Sequence, residues 1–170
     1  MDAIEFFELS AGKWFSQRTV HNLHSGELQA GKSDLKIEML TATDPAVVKL
    51  CEQHSINGVS TNLTGVRISW DGVPDRTSSK QIGSTILAIV PNPDNPSEGK
   101  VLQDKNTSRY VMGADDVLTL ITESDTIHAE ERLWYLMPNL RLRTSVVKQA
   151  NGTEQASFCS EIRMVGSPKS

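Results

Sequence analysis

Apolar and polar residues alternate along most of the chain, and helical spacing is confined to two short segments. From Asp2 to Ala11, Ile4, Phe6 and Phe7 fall near one stripe and Gly12 follows, which predicts a short amphipathic helix with a glycine stop. Asp44-Pro45 opens a second helix over Ala46–His54, with Val47, Val48, Leu50 and Cys51 at helical spacing and Asn57-Gly58 as the expected end. The remaining runs read as strands at Trp14–His24, Ser33–Thr41, Gly65–Trp70, Gly83–Val90, Lys100–Gln103, Arg109–Met112, Val117–Thr122, Thr126–Leu136, Leu140–Lys148 and Gln155–Val165. Turn chemistry separates most of them: Ser25-Gly26, Asp71-Gly72, Pro91 to Pro96, Gly113-Ala114-Asp115, Pro138-Asn139 and Asn151-Gly152. Short strands joined by hairpins predict a mainly β fold, either an antiparallel sandwich or an up-and-down barrel. The length of the final runs favours a barrel, whose strands must tilt.

Composition narrows the classes. The 170 residues fit one domain spanning 1–170, with 38% hydrophobic and 22% charged residues, an ordinary globular balance. Seventeen basic against twenty-one acidic residues leave a formal charge of −4 and a pI near 5.6, so there is no general attraction to phosphate backbones and no nucleic-acid partner is expected. No apolar run has the length of a membrane-spanning helix, and the acidic start Met1-Asp2-Ala3-Ile4-Glu5 does not resemble a signal peptide. A cytoplasmic location follows as the expectation, with Cys51 and Cys159 reduced. Neither those two cysteines nor His21, His24, His54 and His128 show metal-site spacing.

Several polar residues stand out against the alternating pattern. In Leu140 to Val147, period two places Arg141, Arg143 and Ser145 on one face and Leu142, Thr144 and Val146 on the other. Two arginines two apart on a strand are either a solvated outer face or, if the face points inward, a clamp for a ligand with two acidic groups. Glu131 aligns with Leu133 and Tyr135, and Glu161 with Cys159 and Arg163. A buried carboxylate there serves as an ion-pair partner or as an acceptor for ligand N–H groups. Trp14, Trp70 and Trp134 offer flat faces to a conjugated ligand or simply fill core. Arg18 and His21 share the first strand on opposite faces unless a bulge intervenes. No nucleophile elbow, catalytic Ser context or glycine-rich phosphate loop is present.

The segment Phe6-Phe7-x-x-Ser10-Ala11-Gly12-x-Trp14-x-Ser16-Gln17-Arg18-Thr19-x-His21 resembles the opening signature of the S-type (CpcS/CpeS/CpcU) phycobiliprotein lyases of cyanobacteria. Ser69 to Gly72, Glu131-Arg132-x-Trp134-Tyr135, Pro138 to Ser145 and Ser157 to Arg163 match in family order. The resemblance implies a lipocalin-like (fatty-acid-binding-protein-like) antiparallel barrel of about ten strands with one or two short helices. It also implies an enzyme that binds a linear tetrapyrrole, phycocyanobilin being the usual one, and attaches it to a cysteine of a phycobiliprotein. The bilin is then a bound substrate and no prosthetic group is needed. Partners implied are phycocyanin, allophycocyanin or phycoerythrin subunits, together with a homologous lyase subunit or a second copy of the chain. Carried over residue by residue, Glu161 and His21 are the catalytic candidates, while Arg18, Trp70, Trp134, Arg141, Arg143 and Ser145 hold the bilin. A non-catalytic bilin carrier, or the partner subunit of a heteromeric lyase, is the alternative reading.

Overall fold

A computed structural model describes residues 1–56, 62–73 and 79–165. The sheet is a closed barrel of ten strands: β1 (Gly12–Asn22), β2 (Leu28–Leu40), β3 (Thr64–Val73), β4 (Gln81–Pro91), β5 (Glu98–Gln103), β6 (Asn106–Met112), β7 (Leu118–Glu123), β8 (Ile127–Met137), β9 (Leu140–Gln149) and β10 (Glu154–Arg163). Every neighbour is antiparallel and consecutive in sequence, and β1 pairs with β10 to close the ring, which leaves no sheet edge. The barrel alternative is therefore the observed one.

Two differences from the expected boundaries have physical causes. Strand β2 begins at Leu28 rather than Ser33, because Leu28–Lys32 continue the register against β1 although they carry little apolar signal. Asp71-Gly72, expected as a turn, lies inside β3 and pairs with Asp34 and Ser33. Its glycine answers a close approach instead: a Cβ at Gly72 would sit 2.3 Å from the Lys32 carbonyl oxygen.

Helix α1 (Ala3–Ser10) closes one end of the barrel. Asp2 caps it by accepting from the Glu5 amide at 2.8 Å, and Glu5 accepts from the Asp2 amide at 2.8 Å, a reciprocal capping box. Its Phe6 and Phe7 enter an inner core with Trp14, Ile37, Val66, Ile89, Tyr110, Leu118 and Leu133. Arg163 donates to the carbonyls of Ala11 (2.7 Å) and Leu9, tying the last strand to the end of the helix where unpaired carbonyls gather. Helix α2 (Pro45–Gln53) starts as expected, with the Asp44 carboxylate accepting from the Ala46 amide at 2.9 Å. Its Val47, Leu50 and Cys51 pack on the outward residues Ala88, Val90 and Leu102 of β4 and β5, making a second, smaller core outside the barrel. The Asn57-Gly58 end signal lies outside the described residues.

With α1 sealing the floor, the opposite end carries the β1–β2, β5–β6, β7–β8 and β9–β10 hairpins and is the mouth.

Candidate bilin site

A cavity of about 550 Å³ runs from the mouth down to Phe7 and Leu133, within the usual range for small-molecule sites. Its lower wall is apolar, from Leu35, Ile37, Ile68, Leu87, Val101 and Leu120. Its upper and rear walls are polar, with Arg18 of β1, Glu131 of β8 and Arg143 of β9 exposed to it. On β3, Trp70 also lines the cavity, and its indole lies across the inward face of its partner Gly83, where an added Cβ would stand 2.5 Å from the ring. Glycine opposite the tryptophan is what lets the ring lie flat along the wall.

Beneath the polar wall is a buried ion-pair network. Arg141 donates from Nε and Nη2 to Oε2 of Glu161, both at 2.5 Å, and from Nη1 to the Ser10 hydroxyl at 2.8 Å. Glu161 has no exposed surface and Arg141 only 4%. The other carboxylate oxygen faces Arg143 Nη2 at 3.5 Å and the Cys159 thiol at 3.8 Å. Ser16 Oγ and Cys159 Sγ are 2.9 Å apart, and Tyr135 shares the Ser10 hydroxyl at 2.6 Å. Ser10 in turn donates to the Phe6 carbonyl at 2.8 Å, so α1 is wired directly into the charge network. Arg141 and Arg163 both stand over the Trp14 ring, their guanidinium carbons 5.3 Å and 4.2 Å from its centre.

Arg143 differs from Arg141 in being 31% exposed, on the cavity side. Burial works against its charge, but the field of Glu161 and Glu131 outweighs this and holds its pKa above the usual arginine range. A permanent cation with unused donors therefore points into the cavity.

The structure gathers some of the expected site residues and separates others. Arg18, Trp70, Arg141 and Arg143 line the cavity, and Glu161 lies directly behind it. Ser145 shares the inward face of β9 but is engaged with Ser157 at 2.7 Å. His21 is a correction: β1 runs against β10 and β2 without a bulge, so Trp14, Ser16 and Arg18 point inward and His21 lies on the exposed outer face. Trp134 is a second correction. On β8 the inward residues are Ala129, Glu131, Leu133 and Tyr135, which puts Trp134 outside, across from Leu142. The two-arginine clamp changes as well, because Glu161 and Ser10 already occupy three Arg141 donors. Sequence reading missed Ser10, Ser16 and Tyr135; Ser16 shares period two with Trp14 and Arg18, and Tyr135 with Glu131, so alternation contained both.

The family model described as CpeS-like protein matches residues 2–164. This chain belongs to the CpeS-like family. A curated relative from Trichodesmium erythraeum, named chromophore lyase CpcS/CpeS 1, is 54% identical over 98% of this chain and 100% of its own length. Another from a Picosynechococcus species, named phycocyanobilin lyase subunit CpcS, is 36% identical over 98% of this chain and 88% of its own. Among solved structures, the S-type phycobiliprotein lyase CPES from Guillardia theta superposes with a TM-score of 0.87 at 31% identity, covering 98% of this chain and 95% of that one. This CpeS-like barrel therefore shares both sequence and fold with named bilin lyases along nearly its whole length.

Proposed function

We propose that the chain is a phycobiliprotein bilin lyase that holds phycocyanobilin in the barrel and presents it to an acceptor cysteine. The observation that carries this reading is the cavity of about 550 Å³, apolar below and edged by the open guanidiniums of Arg18 and Arg143, in a chain of the CpeS-like family. A linear tetrapyrrole has the matching chemistry: a conjugated apolar body and two carboxylates.

In the proposed reaction the acceptor thiol adds across the ethylidene double bond of the bilin's first ring. The carbon–sulfur bond forms as that π bond is lost, and the thiol proton ends on the bilin, so nothing is oxidised and nothing leaves. The nucleophile belongs to the acceptor, and the chain contributes orientation and protection from water. Arg143 and Arg18 pair with the propionates, where the planar fork of each suits a carboxylate. Glu131, on the cavity wall, accepts from pyrrole N–H groups and favours the protonated, more electrophilic pigment. Trp70 packs on the conjugated face. Glu161 acts through Arg141 and Arg143, holding both guanidiniums in place rather than touching the pigment.

The test is reconstitution of the chain with phycocyanobilin and apo-phycocyanin subunits. A covalent, acid-stable pigment on the acceptor, fluorescent with zinc, is expected. Pigment that stays bound to the chain, with none on the acceptor, supports a carrier instead.

A further inference from the structure

A groove of about 670 Å³ lies on the outer face of β1, β2 and β3 beside the mouth, and it shares Arg18, Gly31, Lys32, Ser33, Gly72 and Val73 with the cavity as lining. Beside this groove, large apolar side chains stand exposed among the polar residues of the hairpin, His24 to Glu27. Leu23 and Leu28, in and after the β1–β2 hairpin, are 53% and 57% exposed, and Ile82 at the start of β4 is 77% exposed. The rest of the rim differs: the β5–β6 turn presents Asp104-Lys105 and the β9–β10 turn Ala150 to Thr153, with Ile127 the one large exposed apolar side chain of the β7–β8 side among the described residues.

We infer that this β1–β2–β3 sector of the rim, with its groove, is the docking surface for the cysteine-bearing segment of the acceptor phycobiliprotein. The inference rests on the lyase reading above and names where the second substrate binds. A thiol can bond to a carbon inside the barrel only if its chain lies over an opening, and the floor is shut by Phe6, Phe7 and Trp14, all essentially without exposed surface. The groove meets the cavity's lining at Arg18 and Lys32, which border both. An extended or helical segment lying there reaches the pigment without unfolding the barrel. Leu23, Leu28 and Ile82 supply exposed apolar surface that a docked partner removes from water.

The experiment uses the full chain carrying Leu23→Asp with Leu28→Asp, and Leu136→Asp at the floor end as the control, Leu136 being 61% exposed. Three readings are taken: absorbance titration with phycocyanobilin, formation of the pigment adduct with 2-mercaptoethanol, and transfer to apo-phycocyanin. The rim variant is expected to bind pigment and react with the small thiol as the parent does, while kcat/KM for protein transfer falls by roughly tenfold or more through KM. The control is expected to keep all three. Parental transfer by the rim variant, or loss of transfer in Leu136→Asp alone, overturns the docking site. If the aspartates abolish pigment binding, the Leu23→Ala, Leu28→Ala pair decides by the same criteria. A parent chain that neither binds nor transfers pigment overturns the lyase reading itself, and is told apart by failing the first titration.

Discussion

Removing the Glu161 carboxylate is the perturbation with the largest expected consequence for stability. In the folded chain one of its oxygens takes two Arg141 donors at 2.5 Å, in a place where neither side chain has appreciable exposure. Glu161→Ala leaves Arg141 as a buried cation with the Ser10 hydroxyl and the Trp14 ring but no counter-charge, and takes the nearest carboxylate from Arg143. Breaking one side of such a pair costs about 3–5 kcal/mol, against about 0–1 kcal/mol for an exposed pair. For a chain of this size each kcal/mol moves Tm by about 2–4 °C, so Tm falls by on the order of 10 °C. Urea unfolding followed by circular dichroism reads the loss directly. Arg141→Met combined with Glu161→Leu provides the second arm: an apolar pair of similar volume restores stability to within about 1 kcal/mol of the parent or exceeds it. A Glu161→Ala loss below about 1 kcal/mol would mean that the pair behaves as if solvated, contrary to its burial.

Arg143→Ala should leave the urea midpoint nearly unchanged, since its side chain is partly exposed to the cavity, while bilin affinity falls by roughly 10- to 150-fold, the equivalent of about 1.5–3 kcal/mol for a charge-assisted contact; unchanged absorbance titrations would count against the contact. Gly83→Ala puts a methyl group against the Trp70 ring, so the tryptophan emission should shift and pigment binding weaken with the fold retained by circular dichroism. The Tyr110 hydroxyl, fully buried and donating to the Pro96 carbonyl at 3.1 Å, is pushed by burial up to about 12 from its ordinary value of 10. The folded state therefore keeps this proton after the unfolded chain has lost it, and stability is fully present below pH 10 and declines as pH rises towards 12. Tyr110→Phe should remove that component of alkaline unfolding, and an identical alkaline slope in the variant would contradict the assignment.

The barrel was legible because its turns are chemically distinct and its strands alternate, and the two helix starts because Asp2 and Asp44-Pro45 carry cap chemistry. Asp71-Gly72 misled because a glycine demanded by a neighbouring carbonyl looks the same in sequence as a glycine demanded by a turn. The site was legible only as far as alternation could be anchored. Period two correctly separated Arg18 from His21 and Glu131 from Trp134, but it does not say which face is inward when the inner wall itself is polar. Only Trp14, buried and in step with Ser16 and Arg18, resolves it for β1. The pairing of Arg141 with Glu161 was hidden for another reason: the two residues are direct cross-strand partners of β9 and β10, a register that depends on the length of the hairpin between them.

A dianionic tetrapyrrole held through its carboxylates is the core of the proposed activity. Absorbance titration of the chain with free phycocyanobilin and with its dimethyl ester, at low and at high salt, tests this most directly. The diacid is expected to bind tighter by roughly tenfold or more, and salt to narrow the difference. Equal affinity for diacid and diester at low salt would contradict it.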